Sequence, residues 1–341
     1  MTSPNAPAGV DPALAMWWAA HVDPTPLVAV DRIGAGQSNI TSLVTDSVGR
    51  EWVLRCPPPG ASPDAHDMRR EARVISALVG TAVPVPTPVV ADADTAGVSG
   101  PFFVMERAPG SALSSEEDAA ALSLAERLRL SENTIAVLAE LHGIDPGAVG
   151  LAELGPRDGY LERQLRRTVR NWASWSDDSA ADLPWQQCRA QLERRVPRQQ
   201  RTVIAHGDYR LSNLLTRGSE ITAVLDWELC TLGDPLADLA WLVDDWRGAD
   251  EPAQIMASPT RAGGFRTRTE ITDDYAKRTG LDLTGLPYYR AFTHWKAATL
   301  LQGVLLRRRS GAMGDHAGLD LAALETSIRN LLDEALDLVA I

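Results

Sequence analysis

Short apolar segments separated by turns dominate the first third of the chain. Residues typical of strands occupy 27–30, 40–44, 51–55, 89–91 and 102–106. Glycine, proline and polar residues stand between these segments, which is typical of antiparallel strands joined by turns. Apolar residues at helical spacing predict one helix over 65–78 and another over 13–21. The pattern therefore predicts a small antiparallel sheet that carries one helix and is preceded by a second.

From about residue 107 onwards, the apolar positions follow longer helical repeats. They predict helices over 122–142, 160–175, 234–246, 286–309 and 319–339. A strand–loop–strand segment at 202–227 interrupts these helices, and the polar, glycine-containing segment 253–269 is expected to be a mobile loop. We therefore expect an α+β chain with three parts, a helical extension (1–26), a small β-rich lobe (27–106) and a larger, mainly helical lobe (107–341).

The composition is that of a folded, acidic protein. Of the 341 residues, 45% are hydrophobic and 23% are charged, which permits a large core and argues against disorder. The net charge of −12 disfavours nucleic acid and anionic membranes as partners. No secretion signal and no run of about 18 apolar residues is visible, so a cytoplasmic protein is expected. Cys56, Cys188 and Cys230 are far apart in the sequence and are expected to be reduced thiols.

The strand–loop–strand segment carries the clearest chemistry. An apolar segment leads into Asp208, Asn213 follows five residues later, and a second apolar segment ends at Asp226. This arrangement suits phosphoryl transfer from a nucleotide, in which one carboxylate accepts the proton of the attacking hydroxyl. We predict that Asp208 is this base and that Asn213 and Asp226 bind Mg²⁺ through oxygen. Taken singly, each residue could equally form a turn or a helix cap, and the spacing of all three favours catalysis.

The same residues resemble the aminoglycoside phosphotransferase and choline kinase superfamily. The resemblance is carried by His206-Gly207-Asp208 with Asn213, by Leu225-Asp226-Trp227-Glu228 and by the segment from Gly233 to Leu239. Within that superfamily, the chain is similar to the branch that eukaryotes fuse to acyl-CoA dehydrogenases, on residues 36–39, 53–55, 57–60, 70–71, 83–86 and 206–211. The resemblance implies a two-lobed protein-kinase-like fold, ATP or GTP as the phosphate donor, and Mg²⁺.

A cation that grips the nucleotide phosphates is expected at the end of the third strand. Protein kinases place a lysine there, but Lys277 and Lys296 are the only lysines of this chain. Arg55 ends this strand, and its guanidinium can bind phosphate through two nitrogens. By comparison with the Lys–Glu pair of kinases, we expect Arg55 to pair with Glu71 on the following helix. The alternative is an exposed arginine and a solvated glutamate.

Two further segments are expected to contact the nucleotide. The glycine-containing segment 34–39 lies between two strands and not before a helix, which excludes the Rossmann and P-loop interpretations. We expect it to form a flap over the phosphates around Gly36, with Ser38 or Asn39 donating hydrogen bonds, and a plain hairpin turn is the alternative. The resemblance also implies a hinge at 102–107, where the backbone of Met105 and Glu106 would bind the adenine edge.

The roles of several residues near the predicted base are inferred from their positions in the sequence. Arg210 occupies the position where protein kinases often carry a lysine that meets the transferring phosphate, and a solvated loop arginine is the alternative. His206 is expected to fasten the loop by hydrogen bonds to the backbone. Asp234 and Asp238 begin the following helix and are expected to be structural.

The acceptor is less well defined by the sequence. Arginines at helical spacing form a stripe that could hold an anionic acceptor such as a hydroxyacyl-CoA, or could be a solvated face, namely Arg163, Arg166, Arg167 and Arg170. An acidic cluster could instead attract a cationic amino sugar, namely Asp244, Asp245, Asp250 and Glu251. The dehydrogenase-fused branch favours the hydroxyacyl-type metabolite, although Ser212 departs from the Asp usual in that branch.

The sequence therefore predicts an ATP- or GTP-dependent kinase that phosphorylates a hydroxyl group of a small molecule. An antibiotic phosphotransferase, such as an aminoglycoside kinase, and a nucleotide-binding pseudokinase are the alternatives. A protein kinase is disfavoured, because Asp234-Pro235 follows Asp226 within eight residues and leaves no room for an activation segment of the usual length.

Overall fold

The computed structural model describes residues 10–33, 39–59, 67–95, 98, 100–175, 181–251, 258–310 and 320–340. Its first part is a five-stranded sheet with strand order β1-β2-β3-β5-β4 and antiparallel pairing throughout. The strands are β1 (Leu27–Ile33), β2 (Ile40–Asp46), β3 (Glu51–Cys56), β4 (Pro88–Ala93) and β5 (Phe102–Glu106). Helix α1 (Pro12–His21) precedes the sheet, and α2 (Met68–Leu78) connects β3 to β4.

Both faces of this sheet are covered, which explains why β3 is buried along most of its length. Side chains alternate between the faces of a strand. Leu54 belongs to the core formed with α1, where Trp18 is fully buried and packs edge-on against Trp52. Val53 belongs to the core formed with α2 and the second lobe. Arg55 therefore shares the face of Val53 and points towards the cleft between the lobes.

The second lobe is mainly helical in the described part of the chain. Its helices are α3 (Glu116–Ala120), α4 (Leu124–Gly143), α5 (Tyr160–Trp175), α6 (Asp182–Arg194), α7 (Pro235–Asp245), α8 (Arg268–Thr279), α9 (Leu286–Arg309) and α10 (Leu321–Val339). Two small antiparallel sheets contain β6 (Ser111–Ala112), β7 (Val203–Ala205), β8 (Leu214–Arg217), β9 (Glu220–Val224) and β10 (Thr231–Gly233). This architecture confirms the predicted two-lobed, protein-kinase-like α+β fold. None of the described helices has the length and hydropathy needed to span a membrane.

Stacked tryptophans form the centre of the helical core. The ring of Trp185 lies 4.8 Å from that of Trp172 and 4.8 Å from that of Trp295. Each indole N–H of this stack has an acceptor, since Trp172 donates to Asp182, Trp185 to Thr299 and Trp295 to the carbonyl of Trp185. This packing fixes α5 and α9 against each other, and both helices border the cavity described below.

The structure adds helices that the sequence pattern did not predict and corrects the first residues of two others. Helices α3, α6 and α8 were not predicted, and α4 begins at Leu124 because Ser123 and Glu126 form a capping box. Helix α2 begins at Met68 after its cap Asp67, and residues 60–66 lie outside the described residues.

The prediction of a mobile loop over 253–269 was wrong for its described part. Residues Pro259–Ala262 form a 3₁₀ turn, and the buried Thr260 hydroxyl donates to the carbonyl of Arg247 at 2.9 Å. A capping box of Thr267 and Glu270 then starts α8. Residues 252–257 lie outside the described residues.

Candidate active site

Asp238 of α7 binds the backbone of the loop that carries Asp208. The Asp238 carboxylate accepts the backbone N–H of His206 at 2.6 Å and that of Gly207 at 2.8 Å. It also contacts His142 at 3.2 Å. Burial by itself would raise the pKa of Asp238, but these hydrogen bonds outweigh it and place the pKa below its usual value. Asp238 is therefore a structural anchor, as the sequence predicted.

His206 fastens this loop to the segment that precedes Asp226. Its imidazole is fully buried, with Nδ1 accepting the backbone N–H of Asp208 at 3.2 Å. Its Nε2 accordingly donates to the carbonyl of Leu225 at 2.9 Å. The predicted fastening role of His206 is confirmed by these contacts.

Gly207 permits the catalytic loop to approach Leu229 closely. Its φ is +87°, and a Cβ at this position would lie 2.9 Å from both Cβ and the carbonyl oxygen of Leu229. A larger residue would therefore be strained by its backbone conformation and would clash with its neighbour. This glycine allows the chain to turn after His206, so that Asp208 faces the cleft.

The Asp208 carboxylate is oriented by two donors. Oδ1 accepts the indole N–H of Trp241 at 2.5 Å, and Oδ2 accepts from Asn213 Nδ2 at 2.8 Å. Asn213 Nδ2 also donates to the backbone carbonyl of Asp208 at 2.9 Å. Burial raises the pKa of Asp208, and the positive charge of Arg210 and the hydrogen bond from Asn213 oppose that shift. The carboxylate is thus fixed in direction and is more basic than a solvated aspartate.

Asp226 has an unusual backbone conformation. Among the described residues it is the only residue other than glycine with a positive φ, at 66° with ψ of 59°. The N–H of Leu225 donates to the carbonyl of Asn213 at 2.8 Å, which joins the two predicted metal ligands through the backbone. Such a conformation is uncommon outside glycine and is a recognised feature of functional sites. The structure therefore brings Asp208, Asn213 and Asp226 to one place.

Arg55 connects this place to the first lobe. Its guanidinium pairs with Glu71 Oε1 at 2.8 Å through Nη1 and with Asp226 Oδ1 at 3.1 Å through Nη2. Burial raises the pKa of Glu71, and the positive charge of Arg55 opposes that shift. The Arg55–Glu71 pair expected from the sequence is present in the structure.

Arg210 pairs with a carboxylate of α7. Its side chain is buried and pairs with Asp245 Oδ1 at 3.2 Å. Burial raises the pKa of Asp245 to about 6, although Arg210 opposes this. The contact with the transferring phosphate stays a prediction, and the contact that the structure shows fastens the loop to α7.

The predicted flap and hinge are only partly described. Gly36 and Ser38 lie outside the described residues, whereas Asn39 is buried and donates from Nδ2 to Glu228 Oε2 at 3.0 Å. Met105 is buried in β5. The N–H of Glu106 donates to the carbonyl of Thr87 at 2.8 Å. Any adenine contact at Glu106 would therefore use its carbonyl.

Trp241 and Lys296 also lie at the site and were not predicted from the sequence. The Lys296 ammonium lies 5.1 Å from the centre of the Trp241 ring, whose N–H binds Asp208. Asp238, Trp241 and Asp245 recur at intervals of three and four residues and so share one face of α7. This spacing was the available signal for Trp241, and the scarcity of lysine was the signal for Lys296.

Comparison with known proteins decides the family. Residues 29–281 match the profile of the Phosphotransferase enzyme family. The chain belongs to this family. Membership agrees with the geometry above and supports a small-molecule phosphotransferase.

Individual relatives agree with this assignment. Acyl-CoA dehydrogenase family member 10 of Mus musculus is 32% identical over 311 residues, which are 87% of this chain and 28% of that protein. The chain thus spans less than a third of this relative. A candidate aminoglycoside phosphotransferase from Ralstonia eutropha JMP134 is 28% identical, with a TM-score of 0.78 and coverage of 96% of this chain and 97% of that one. The GDP and kanamycin complex of APH(2")-IIia has the same fold, with 17% identity, a TM-score of 0.64 and coverage of 95% and 98%.

Proposed function

We propose that this member of the family is an ATP- or GTP-dependent kinase that transfers the γ-phosphate to a hydroxyl group of a small molecule. The convergence of Asp208, Asn213 and Asp226 carries this proposal. Asn213 binds the Asp208 carboxylate through its side chain and the residue before Asp226 through its backbone. A base and two oxygen ligands thus border one cleft, which is the arrangement that phosphoryl transfer needs.

The described residues fit a Mg²⁺ ion carried by the nucleotide. Asn213 Nδ2 is directed at Asp208, so the amide oxygen faces the other way, and a third of the Asp226 side chain is exposed. No group of three or more His, Cys, Asp or Glu side chains suited to a metal occurs among the described residues. A site of one amide and one carboxylate therefore depends on phosphate oxygens to complete it, as Mg²⁺ sites in kinases do. The ion would neutralise charge on the phosphates.

Asp208 is proposed to act on the acceptor hydroxyl. The acceptor oxygen attacks the γ-phosphorus, the bond from that phosphorus to the β–γ bridging oxygen breaks, and the nucleoside diphosphate leaves. The hydroxyl proton passes to the Asp208 carboxylate. The hydrogen bonds from Trp241 and Asn213 hold that carboxylate in one orientation, and its raised pKa makes it a better proton acceptor.

Nucleotide use is supported by two observations. Arg55 lies in the cleft with its guanidinium between Glu71 and Asp226, where the fork can contact phosphate oxygens. The related fold of APH(2")-IIia was solved with GDP and kanamycin. We propose that the same cleft of this chain holds ATP or GTP. Intact candidates for the base and both metal ligands argue against a pseudokinase.

The acidic cluster disfavours an aminoglycoside acceptor, because three of its four members already have cationic partners. Asp244 pairs with Arg290 at 2.6 Å, Asp245 with Arg210 at 3.2 Å and Glu251 with Arg268 at 2.7 Å. A polycationic sugar would have to displace these arginines, two of which are largely buried with their partners. We therefore favour a metabolite with a hydroxyl group, of hydroxyacyl type, over an aminoglycoside.

A nucleoside diphosphate release screen tests this function. Aminoglycosides, macrolides, choline, sugars and hydroxyacyl-CoAs are offered with Mg-ATP and with Mg-GTP to the wild-type protein and to Asp208→Asn. We expect acceptor-dependent release with wild-type protein only, and nucleotide binding by both proteins. Acceptor-dependent release that persists in Asp208→Asn would reject Asp208 as the base. Absence of nucleotide binding would reject the kinase itself.

A further inference from the structure

A second feature of the cleft concerns the acceptor. A small cavity opens between α5 and α9 beside the catalytic loop. Gly207, next to Asp208, lines it on the loop side, and Arg167 and Lys296 line it from the two helices. Trp241 connects this cavity to the proposed base, because Lys296 lies above its ring and Asp208 accepts its N–H.

The charge of the cavity is entirely positive. No aspartate or glutamate lines it. Within the described ranges of the chain, neither Arg167 nor Lys296 has a carboxylate within ion-pairing distance. Burial and the repulsion from Arg167 lower the pKa of Lys296, and Asp208 opposes that shift. Two cations thus line the same cavity, and no carboxylate lines it.

Arg167 is singled out from the rest of the arginine stripe. Arg163 is engaged elsewhere, since its guanidinium donates to the carbonyl of Pro156 at 2.9 Å and to that of Asp158. Arg166, Arg167 and Arg170 are all exposed, and of these three only Arg167 lines the cavity. The predicted stripe is therefore not one binding surface, and only Arg167 meets Lys296.

We propose that this cavity is a subsite for the acceptor and that Arg167 and Lys296 bind a compact anionic group, a carboxylate or a phosphate, of the molecule whose hydroxyl meets Asp208. This inference rests on the proposed kinase function. The guanidinium fork suits a planar or tetrahedral anion, and the ammonium adds a point charge on the other side. The amides of Gln164 and Asn171 line the same cavity and can donate further hydrogen bonds. A cationic acceptor would meet like charges here.

Lysine acylation tests the subsite without requiring turnover. The chain has two lysines, and the exposed Lys277 on α8 is an internal reference for the partly buried Lys296. The wild-type protein is acylated with an N-hydroxysuccinimide ester, and both sites are quantified by mass spectrometry. The probes are matched pairs, 4-hydroxybutyrate against 4-hydroxybutyramide and glycerol 3-phosphate against glycerol.

We expect at least one anionic probe to slow acylation of Lys296, by about tenfold when its concentration is about ten times its Kd, while Lys277 is unaffected. The neutral partner of that pair should have no effect. If only the carboxylate probe or only the phosphate probe protects Lys296 from acylation, that result identifies the anionic group that the subsite binds. Equal acylation with both members of each pair would overturn the inference, and so would a Lys296 that no reagent reaches, because its ammonium would then not face an open cavity.

Kinetics with the acceptor found in the screen give a second readout. Lys296→Met and Arg167→Gln should raise the acceptor KM by about tenfold or more, with kcat and the nucleotide KM little changed. Lys277→Met and Arg170→Gln are the matched controls and should behave like wild type. An unchanged acceptor KM in both test variants would contradict the subsite.

Failure of the subsite and failure of the kinase proposal give different results. If neutral and anionic acceptors are phosphorylated alike and Lys296 is not protected, the subsite is wrong and the kinase stands. If an anion protects Lys296 but no acceptor is phosphorylated and no nucleotide binds, the anion site stands and the kinase is wrong.

Discussion

Arg55 Nη2 and Asp226 Oδ1 form an ion pair of 3.1 Å across the cleft between the two lobes. The same guanidinium binds Glu71 of α2 at 2.8 Å, so one arginine connects the β-rich lobe to the proposed metal ligand. The positive charge compensates the Asp226 carboxylate while no metal is bound there. We propose that the same guanidinium also contacts the phosphates of a bound nucleotide.

Replacing Arg55 tests this arrangement. Arg55→Met should weaken binding of Mg-AMP-PNP by about tenfold or more, equivalent to at least about 1.4 kcal/mol, because a bidentate phosphate contact is lost. Arg55→Lys should recover part of the affinity, since the lysine ammonium keeps the positive charge but cannot bind phosphate through two nitrogens as the guanidinium does. Isothermal titration calorimetry measures both. Arg69→Met, an exposed arginine on α2, is the control and should bind as wild type does. Unaltered affinity in Arg55→Met would reject its role at the phosphates.

The hydrogen bond from Trp241 to Asp208 predicts a shifted pH profile. The base is active when deprotonated, and burial raises the pKa of Asp208, so kcat/KM should fall as the pH drops through that raised pKa. An N–H donor favours the charged carboxylate. Trp241→Phe removes this donor and should move the acidic limb to higher pH, by roughly one unit or less.

The acidic limb of the kcat/KM profile against pH measures this shift. Trp17→Phe, which alters a tryptophan packed on Phe102 of the first lobe, serves as the control. An acidic limb that stays in place in Trp241→Phe would show that the indole does not tune the base.

The sequence allowed much of the site to be predicted, for a physical reason. The three residues of the proposed site, Asp208, Asn213 and Asp226, lie within 19 residues and are separated by short strands. Because the connecting segments are so short, the spacing alone indicates that the three side chains lie close together. The Arg55–Glu71 pair needed the family resemblance, because β3 and α2 are brought together by tertiary packing. The structural role of Asp238 was expected from its position near a helix N-terminus, but its backbone partners could not be predicted, because every residue except proline carries a backbone N–H.

Other parts of the site could not be predicted from local pattern. Lys296 lies on α9, 88 residues after Asp208 in the sequence, and reaches the cavity through the stacked tryptophans that position α5 against α9. The acidic cluster suggested a cationic acceptor, yet its ion pairs with Arg290 and Arg210 are long-range contacts that composition does not reveal. Helix α8 was missed although the capping box of Thr267 and Glu270 was visible in the sequence.

The anchoring role of Asp238 makes a prediction about stability. Asp238→Asn should lower the free energy of unfolding by about 3 kcal/mol at neutral pH, because the new amide group directs an N–H at a backbone donor. The pKa of Asp238 is lowered in the folded protein. Its contribution is therefore present above the unfolded pKa of about 3.9 and is lost as the pH falls below that value.

Denaturant unfolding of wild type and Asp238→Asn at several pH values measures this. The difference between the two proteins should be largest at neutral pH and should shrink below about pH 4. Asp333→Asn changes an exposed aspartate of α10 and should have little effect. A difference that is small at neutral pH, or that grows in acid, would refute the anchor.

Calorimetric titration of AMP-PNP and GMP-PNP, with Mg²⁺ and with EDTA, into wild type and Asp226→Asn tests the central claim most directly. We predict that one of these nucleotides binds wild type at least about tenfold more tightly with Mg²⁺ than with EDTA, and that Asp226→Asn loses most of this difference. Binding that ignores both Mg²⁺ and the substitution, or no binding of either nucleotide, would contradict a metal–nucleotide site formed by Asn213 and Asp226.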